Sequence, residues 1–202
     1  MTTGEPTPGL RERTRRAVHR EIAAAGMALF LEQGFEETAI EQIAEAAGIS
    51  RRSFFRYFPT KEDVVLGDLI DRGHRVGAAL AARPQEEEPW AAVRAALLAL
   101  RDEGPVDPAA ELRIARMMHQ APSLRAAHLE KHLAWQEILV PELARRLRHA
   151  HGFDEVIAEH RAAAIVATAL TCLDVATETW MRLDGEVPLE GLWDEAVAAV
   201  GA

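Results

Sequence analysis

The chain has 202 residues, 49% of them hydrophobic, a formal net charge of −9 and one cysteine, Cys172. That length and apolar fraction exclude a disordered chain and allow a small domain plus a larger one with its own core. One cysteine excludes an intrachain disulfide framework and fits a reducing cytoplasm, the expected location. Residues 1–9, rich in Thr, Gly and Pro, lack the apolar stretch of a signal peptide and are expected to form a disordered tail.

A first helix is predicted from Leu10 to Gln33. Val18, Ile22, Ala25, Leu29 and Phe30 form its inner stripe, and Gly34 stops it. Its start carries five arginines, of which Arg13 and Arg16 are candidates for phosphate or minor-groove contact. Two short helices follow. Thr38 and Glu41 read as a capping box for the first, with Ile40, Ile43, Ala44 and Ala47 on one face. Gly48 is the stop, Ile49 an apolar plug, and Ser50 a cap for the second short helix. That helix turns Phe54 and Phe58 inward, and Pro59 ends it. Thr60 can cap a fourth helix, with Lys61 at its first position and Asp63 in its first turn.

Two short helices around a tight turn, the second carrying arginines interleaved with aromatic and hydroxyl side chains, suit a DNA major groove. The expected DNA contacts are Thr38, Ser50, Arg51, Arg52, Ser53, Phe55, Arg56, Tyr57 and Lys61, together with Arg13 and Arg16. Arg51 and Arg52 stand where side chains reach base edges, and Lys61 is read as a phosphate contact. The acidic total does not oppose this. Residues 1–61 carry a net +1 and the rest −10, so the positive field is local.

The fourth helix runs to about Ala82. Gly67, Gly73 and Gly77 are expected to make it soft, each at about 1 kcal/mol relative to alanine. After a Pro- and Glu-rich linker, further helices are predicted at about 90–101, 108–120 and 123–149. Pro141 is expected to kink or split the last of these. The eighth, from Phe153 to Leu183 with Asp154 as cap, is apolar nearly all round between Ala162 and Ala176. Its longest apolar run is too short for a bilayer, which takes about 18 residues, so no membrane partner is expected. An all-round apolar helix needs cover on every side. With the ninth helix, about 189–200, it is expected to form a dimer interface through Ala163, Val166, Ala167, Leu170, Trp193 and Val197.

Among the middle helices, His74, Trp90, Met117, Met118, His119, Trp135 and Trp180 could line a pocket for a mainly apolar molecule. His128 and His132 stand four apart, a spacing that can hold a metal. No third ligand is evident nearby and Glu130 is wrongly placed for a metalloprotease, so they read as a solvated face and no metal is expected. No nucleophile sits in a recognisable setting, and there is no glycine-rich phosphate loop. Neither an enzyme nor a cofactor therefore has an anchor here.

The combination of Gly34-Phe35, Thr38, Ile43-Ala44, Ala47-Gly48-Ile49-Ser50 and Phe54-Phe55-Arg56-Tyr57-Phe58-Pro59-Thr60-Lys61 resembles the TetR family of transcriptional regulators over about residues 11–66. The family often has glycine at the second position of the recognition helix, where this chain has Arg52. The resemblance implies an all-α, two-fold-symmetric dimer of about nine helices per chain. Its helix-turn-helix DNA-binding domain would span residues 10–60, and a ligand-binding and dimerisation domain residues 61–202. It also implies a repressor that leaves a palindromic operator when a small molecule enters the C-terminal domain. The alternatives are a helical DNA-binding regulator without such a ligand, and a helical enzyme whose basic helix holds a phosphorylated substrate.

Overall fold

The computed structural model describes residues 9–99 and 107–201, so the expected tail, apart from Gly9, lies outside the described residues. All regular structure among them is helical. The elements are α1 (Leu10–Gln33), α2 (Ile40–Ala46), α3 (Arg51–Tyr57), α4 (Glu62–Ala82), α5 (Pro89–Ala99), α6 (Pro108–Gln120), α7 (Pro122–His151), α8 (Glu155–Arg182) and α9 (Leu189–Ala199). The chain divides into two compact units, Met1–Val65 and Leu66–Ala202, so the division falls inside α4.

In the first unit, Ile22, Phe30, Phe35, Ile43, Ala44, Phe54, Phe58 and Val64 are buried. Gly26 has a packing reason. A methyl group there would lie 2.7 Å from Val64 Cγ1 and 3.4 Å from Ile43 Cγ2, so α1 passes too close for a side chain. The α2–α3 turn is a Schellman motif. The Ile49 amide donates to the Ala44 carbonyl (2.9 Å), the Gly48 amide to Glu45 (3.0 Å), and Gly48 takes φ +66°. Ser50 then caps α3, its hydroxyl oxygen accepting from the Ser53 amide at 3.1 Å. At α4, Thr60 and Asp63 form a reciprocal capping box. The Asp63 carboxylate accepts from the Thr60 amide (2.8 Å) and the Thr60 hydroxyl oxygen from the Asp63 amide (3.2 Å).

One cap differs from expectation. Ala39, not Thr38, occupies the cap of α2, and Gln42 rather than Glu41 reaches back, accepting from the Ala39 amide at 2.8 Å. Thr38 is instead 1% exposed. Its hydroxyl donates to the Gly34 carbonyl (2.7 Å) and accepts from Gln33 Nε2 (3.1 Å), closing the end of α1. Glu41 is left free to pair with Arg51 at 3.1 Å.

In the second unit, α7 and α8 form a helical hairpin closed by Gly152 in the left-handed conformation. Asp154 caps α8 by accepting from the Ile157 amide at 2.9 Å. The core gathers Val76 and Leu80 of α4, Val93 and Ala96 of α5, Trp135, Leu139 and Leu143 of α7, Ala162, Val166 and Leu170 of α8, and Trp193 of α9. Arg94 of α5 and Asp194 of α9 are joined by two hydrogen bonds of 2.6 and 2.7 Å.

Three sequence expectations change here. Of the expected kink or split at Pro141, the split does not occur: the helix is continuous over 30 residues. Pro141 and Glu137, whose carbonyl loses its usual donor, are both exposed, so water can serve that carbonyl. Gly73 and Gly77 are contact positions rather than soft points. A methyl group at Gly73 would lie 2.6 Å from Trp135 Nε1, and one at Gly77 2.8 Å from Ile138 Cγ2. Replacing them with alanine would therefore disturb the α4–α7 seam and could not report on bending alone. Finally, α8 is long and apolar enough to cross a bilayer by length and composition. It nevertheless places Ala158, Ala162, Val166, Ala169, Leu170, Cys172, Ala176 and Trp180 in the core of the bundle.

Candidate nucleic-acid interface

The recognition surface follows from which α3 side chains are needed inside. Phe54 and Phe58 are fully buried, 5.8 Å apart between ring centroids, with His19 of α1 stacked 4.1 Å from Phe58. At about 100° per residue, the side of α3 opposite those two rings carries Arg52, Ser53 and Arg56. Arg52 and Arg56 are exposed. Arg51 lies toward α2, where Glu41 holds it, and it sits 5.6 Å from the Phe55 ring centroid. Arg56 packs over Tyr57 at 5.2 Å. A basic open cleft of about 610 Å³ lined by Arg11, Thr14, Arg15, Arg56 and Tyr57 joins the start of α1 to the end of α3. Arg13 and Arg16 are also exposed on α1, while Arg11 and Arg15 are the arginines of α1 that line the cleft.

Two expected contacts have other employment. Thr38 is buried, as described. Lys61 donates from Nζ to the carbonyls of Phe35 (2.7 Å) and Thr38 (3.2 Å), and stands 4.3 Å from the Phe35 ring centroid. The ammonium ties the loop after α1 to the start of α4, so its donors already face carbonyls. Lys61→Met should lower the stability of the first unit by about 1–3 kcal/mol, the scale of hydrogen bonds from a charged group. Hydrogen-exchange protection at residues 34–38 should fall with it, while the salt dependence of DNA binding stays at the wild-type slope. A slope shallower by one phosphate contact, with protection unchanged, would restore the phosphate reading.

The expected pocket residues fall in different surroundings. His74 is exposed on α4, and His119 is exposed on α6 with Glu178 3.9 Å away. Met117 is buried and Met118 half-buried on α6, and Trp90 is half-buried against the core. Trp135 fills the space over Gly73, and Trp180 lies against Gly185. The expected dimer residues also divide. Val166, Leu170, Trp193 and Val197 are buried within their own chain, and the Trp193 indole donates to the Ala169 carbonyl at 3.1 Å. Ala163 and Ala167 are half-buried. Those four bulky residues of α8 and α9 are thus consumed by the bundle. The outward face of α8 is Ile157, Arg161, Ala164, Thr171 and Val175.

His128 and His132 are not a solvated face either. Their side chains are 28% and 13% exposed, and Asp174 of α8 lies 2.9 and 3.4 Å from their Nε2 atoms. Burial acts to raise the Asp174 carboxyl, but hydrogen bonds from both imidazoles outweigh it and hold the group well below the usual carboxylate range. Burial pushes the neighbouring Lys131 ammonium down to about 8, with Asp174 opposing the shift.

The pattern of bacterial regulatory proteins of the tetR family matches residues 22–67, and that of the MftR C-terminal domain matches residues 87–202. The chain is 35% identical over 192 residues to the HTH-type transcriptional regulator TcmR of Streptomyces glaucescens, covering 92% of this chain and 82% of TcmR. It is 28% identical over 190 residues to the mycofactocin biosynthesis transcriptional regulator MftR of Mycobacterium tuberculosis, covering 94% and 92%. In fold it is similar to Thermus thermophilus FadR, a transcriptional repressor solved with lauroyl-CoA, at a TM-score of 0.56 and 22% identity over 89% of this chain and 91% of that one. These matches fall on the two units described above, and they exclude the enzyme reading. The chain belongs to the TetR family of bacterial transcriptional regulators, with a C-terminal domain of the MftR kind.

Proposed function

We propose that the protein acts as a homodimeric repressor that leaves a palindromic operator when a mainly apolar small molecule enters the C-terminal bundle. The observation that carries this reading is α3: capped at Ser50, anchored by Phe54 and Phe58, and presenting Arg52 and Arg56 outward. Phosphate and base contact need that combination of rigidity and exposed guanidinium groups. Thermus thermophilus FadR, which shares the fold, holds lauroyl-CoA, and that supports a ligand with a long apolar part.

Release would travel through α4, the one helix shared by both units. In a dimer, displacing α4 in each copy changes the spacing of the two α3 helices. A duplex accepts only its own helical repeat, so one half-site is lost. A ligand does this only if it binds the displaced state better, and coupling of about 1–3 kcal/mol is the usual scale. The dimer contact is reassigned to the outward face of α8, where Ile157 and Val175 are exposed apolar residues and the Thr168 and Thr171 hydroxyls donate to the Ala164 and Ala167 carbonyls of their own helix. Ala169, by contrast, is core.

Sequencing the genomic fragments retained by the purified protein tests the reading. It should return palindromes with half-sites about 10 bp or more apart. The protein should sediment as a dimer, and Ala164→Arg should shift it to monomer and lower operator affinity. Wild-type monomer at micromolar concentration with intact operator binding would refute the dimer. Fragments without two-fold symmetry would refute the palindrome.

A further inference from the structure

We propose that His128 and His132 of α7 and Asp174 of α8 bind one divalent transition-metal ion of the zinc class, bridging the two central helices of the bundle. The donor set is two imidazoles and one carboxylate, the composition that borderline ions such as Zn²⁺ and Co²⁺ select over Mg²⁺ or Ca²⁺. The three donor atoms lie within 4.8 Å of one another. Asp174 Oδ1 is 2.9 Å from His128 Nε2 and 3.4 Å from His132 Nε2. Bond lengths of about 2.0–2.1 Å around a tetrahedral ion set donors about 3.4 Å apart, so the ion fits with small side-chain adjustments.

Helix geometry supplies the arrangement. Residues four apart share a face, which aims both imidazoles at α8. The α7–α8 hairpin, closed at Gly152, then sets Asp174 opposite them, 46 residues from His128 along the chain. The imidazoles are neighbours, with centroids 4.7 Å apart and planes tilted by 51°. On the other side of His128, Lys131 Nζ stands 3.3 Å from Nδ1 and, as a donor, favours the metal-free tautomer with its hydrogen on Nε2. Binding moves the hydrogen of a neutral His128 from Nε2 to Nδ1, and Lys131 then gives up that hydrogen bond. All three ligand side chains keep some solvent exposure, so water can complete the coordination sphere. The ion would cross-link α7 to α8 and stabilise the folded bundle by mass action.

The test uses the full chain, stripped of metal and titrated with Co²⁺, then with Zn²⁺. The expected result is one Co²⁺ per chain with the visible absorption of a low-symmetry four- or five-coordinate site, displaced by Zn²⁺, and a higher melting temperature with either ion. Asp174→Asn and His132→Gln should each abolish the visible band. The double variant His149→Gln, His151→Gln should retain it. X-ray absorption of the wild-type Zn²⁺ form should show two imidazoles plus oxygen ligands, a readout that does not depend on a variant folding. Absence of the band, its survival in a folded Asp174→Asn variant, its loss in the His149, His151 double variant, or fewer than two imidazoles would each overturn the assignment.

Discussion

Arg146→Met should lower the stability of the C-terminal unit by about 3–5 kcal/mol, the cost of breaking a buried charged network at one partner. Arg146 of α7 is 1% exposed. Its guanidinium donates to the carbonyls of Leu80 and Pro84 at 2.6 Å and of Arg83 at 2.5 Å. These carbonyls belong to the last turn of α4 and the residues that follow it; those of Leu80 and Pro84 also accept the Arg83 (3.2 Å) and Glu87 (3.3 Å) amides, and Arg146 supplies their second hydrogen bond. The positive group also faces the negative end of the helix dipole, and Glu142 Oε1 lies 3.5 Å from Nε. Methionine keeps the length of the side chain and removes every donor, so three carbonyls lose the guanidinium together, while Glu142 keeps its pair with Arg145. Arg146→Lys should fall between, since one ammonium cannot span three carbonyls in a fixed fork. All four tryptophans lie in residues 66–202, so urea unfolding followed by tryptophan fluorescence reports on this unit. A change below about 1 kcal/mol for Arg146→Met would mean that water replaces the guanidinium without loss.

The second large effect should come from α3. Arg52→Ala and Arg56→Ala should each cost about 1–3 kcal/mol of operator binding, the scale of one good bidentate base contact. Arg51→Ala should cost less, because Glu41 already engages that guanidinium. Fluorescence anisotropy on the selected operator and on unrelated DNA, at one salt concentration, separates the roles. A base contact shows as lost discrimination. A phosphate contact shows as a uniform loss with a shallower salt slope. If all three variants keep wild-type discrimination, α3 is not the reading helix.

The sequence was most legible where local chemistry decides the outcome. Gly48, Ser50, Thr60 and Asp154 act at helix ends as their side chains and backbone preferences dictate, and Phe54 and Phe58 point inward as their spacing requires. Legibility fell where a partner arrives from a distant segment. Lys61 looked like a phosphate ligand because the carbonyls of Phe35 and Thr38 are more than 20 residues away. Gly73 and Gly77 looked soft because nothing nearby in sequence shows Trp135 and Ile138 pressing on them. Asp174 was missed as a partner of His128 and His132 for the same reason. Arg146 was one arginine among several on α7; only the tertiary structure distinguishes it, although an arginine in line with Leu139 and Leu143 on the apolar face was a usable signal. Four of the six expected dimer residues, Val166, Leu170, Trp193 and Val197, are buried in their own chain, because an all-round apolar helix does not say which side faces its own chain. Both sides of α8 mix small and bulky residues: Ala162, Val166 and Trp180 are buried, and Ile157, Ala164 and Val175 are exposed.

The boundary within α4 has a consequence for recombining this regulator with its relatives. The division at Val65 and Leu66 lies between two residues of one continuous helix. A chimaera spliced there has to keep the residue count of that helix. One inserted residue would turn everything downstream by about 100° and advance it about 1.5 Å, whereas seven would come close to restoring the original phase. Exchange of reading heads among such proteins is therefore permitted in helical increments rather than at any length, and crossover points that conserve residue count through this helix are the ones expected to yield working hybrids.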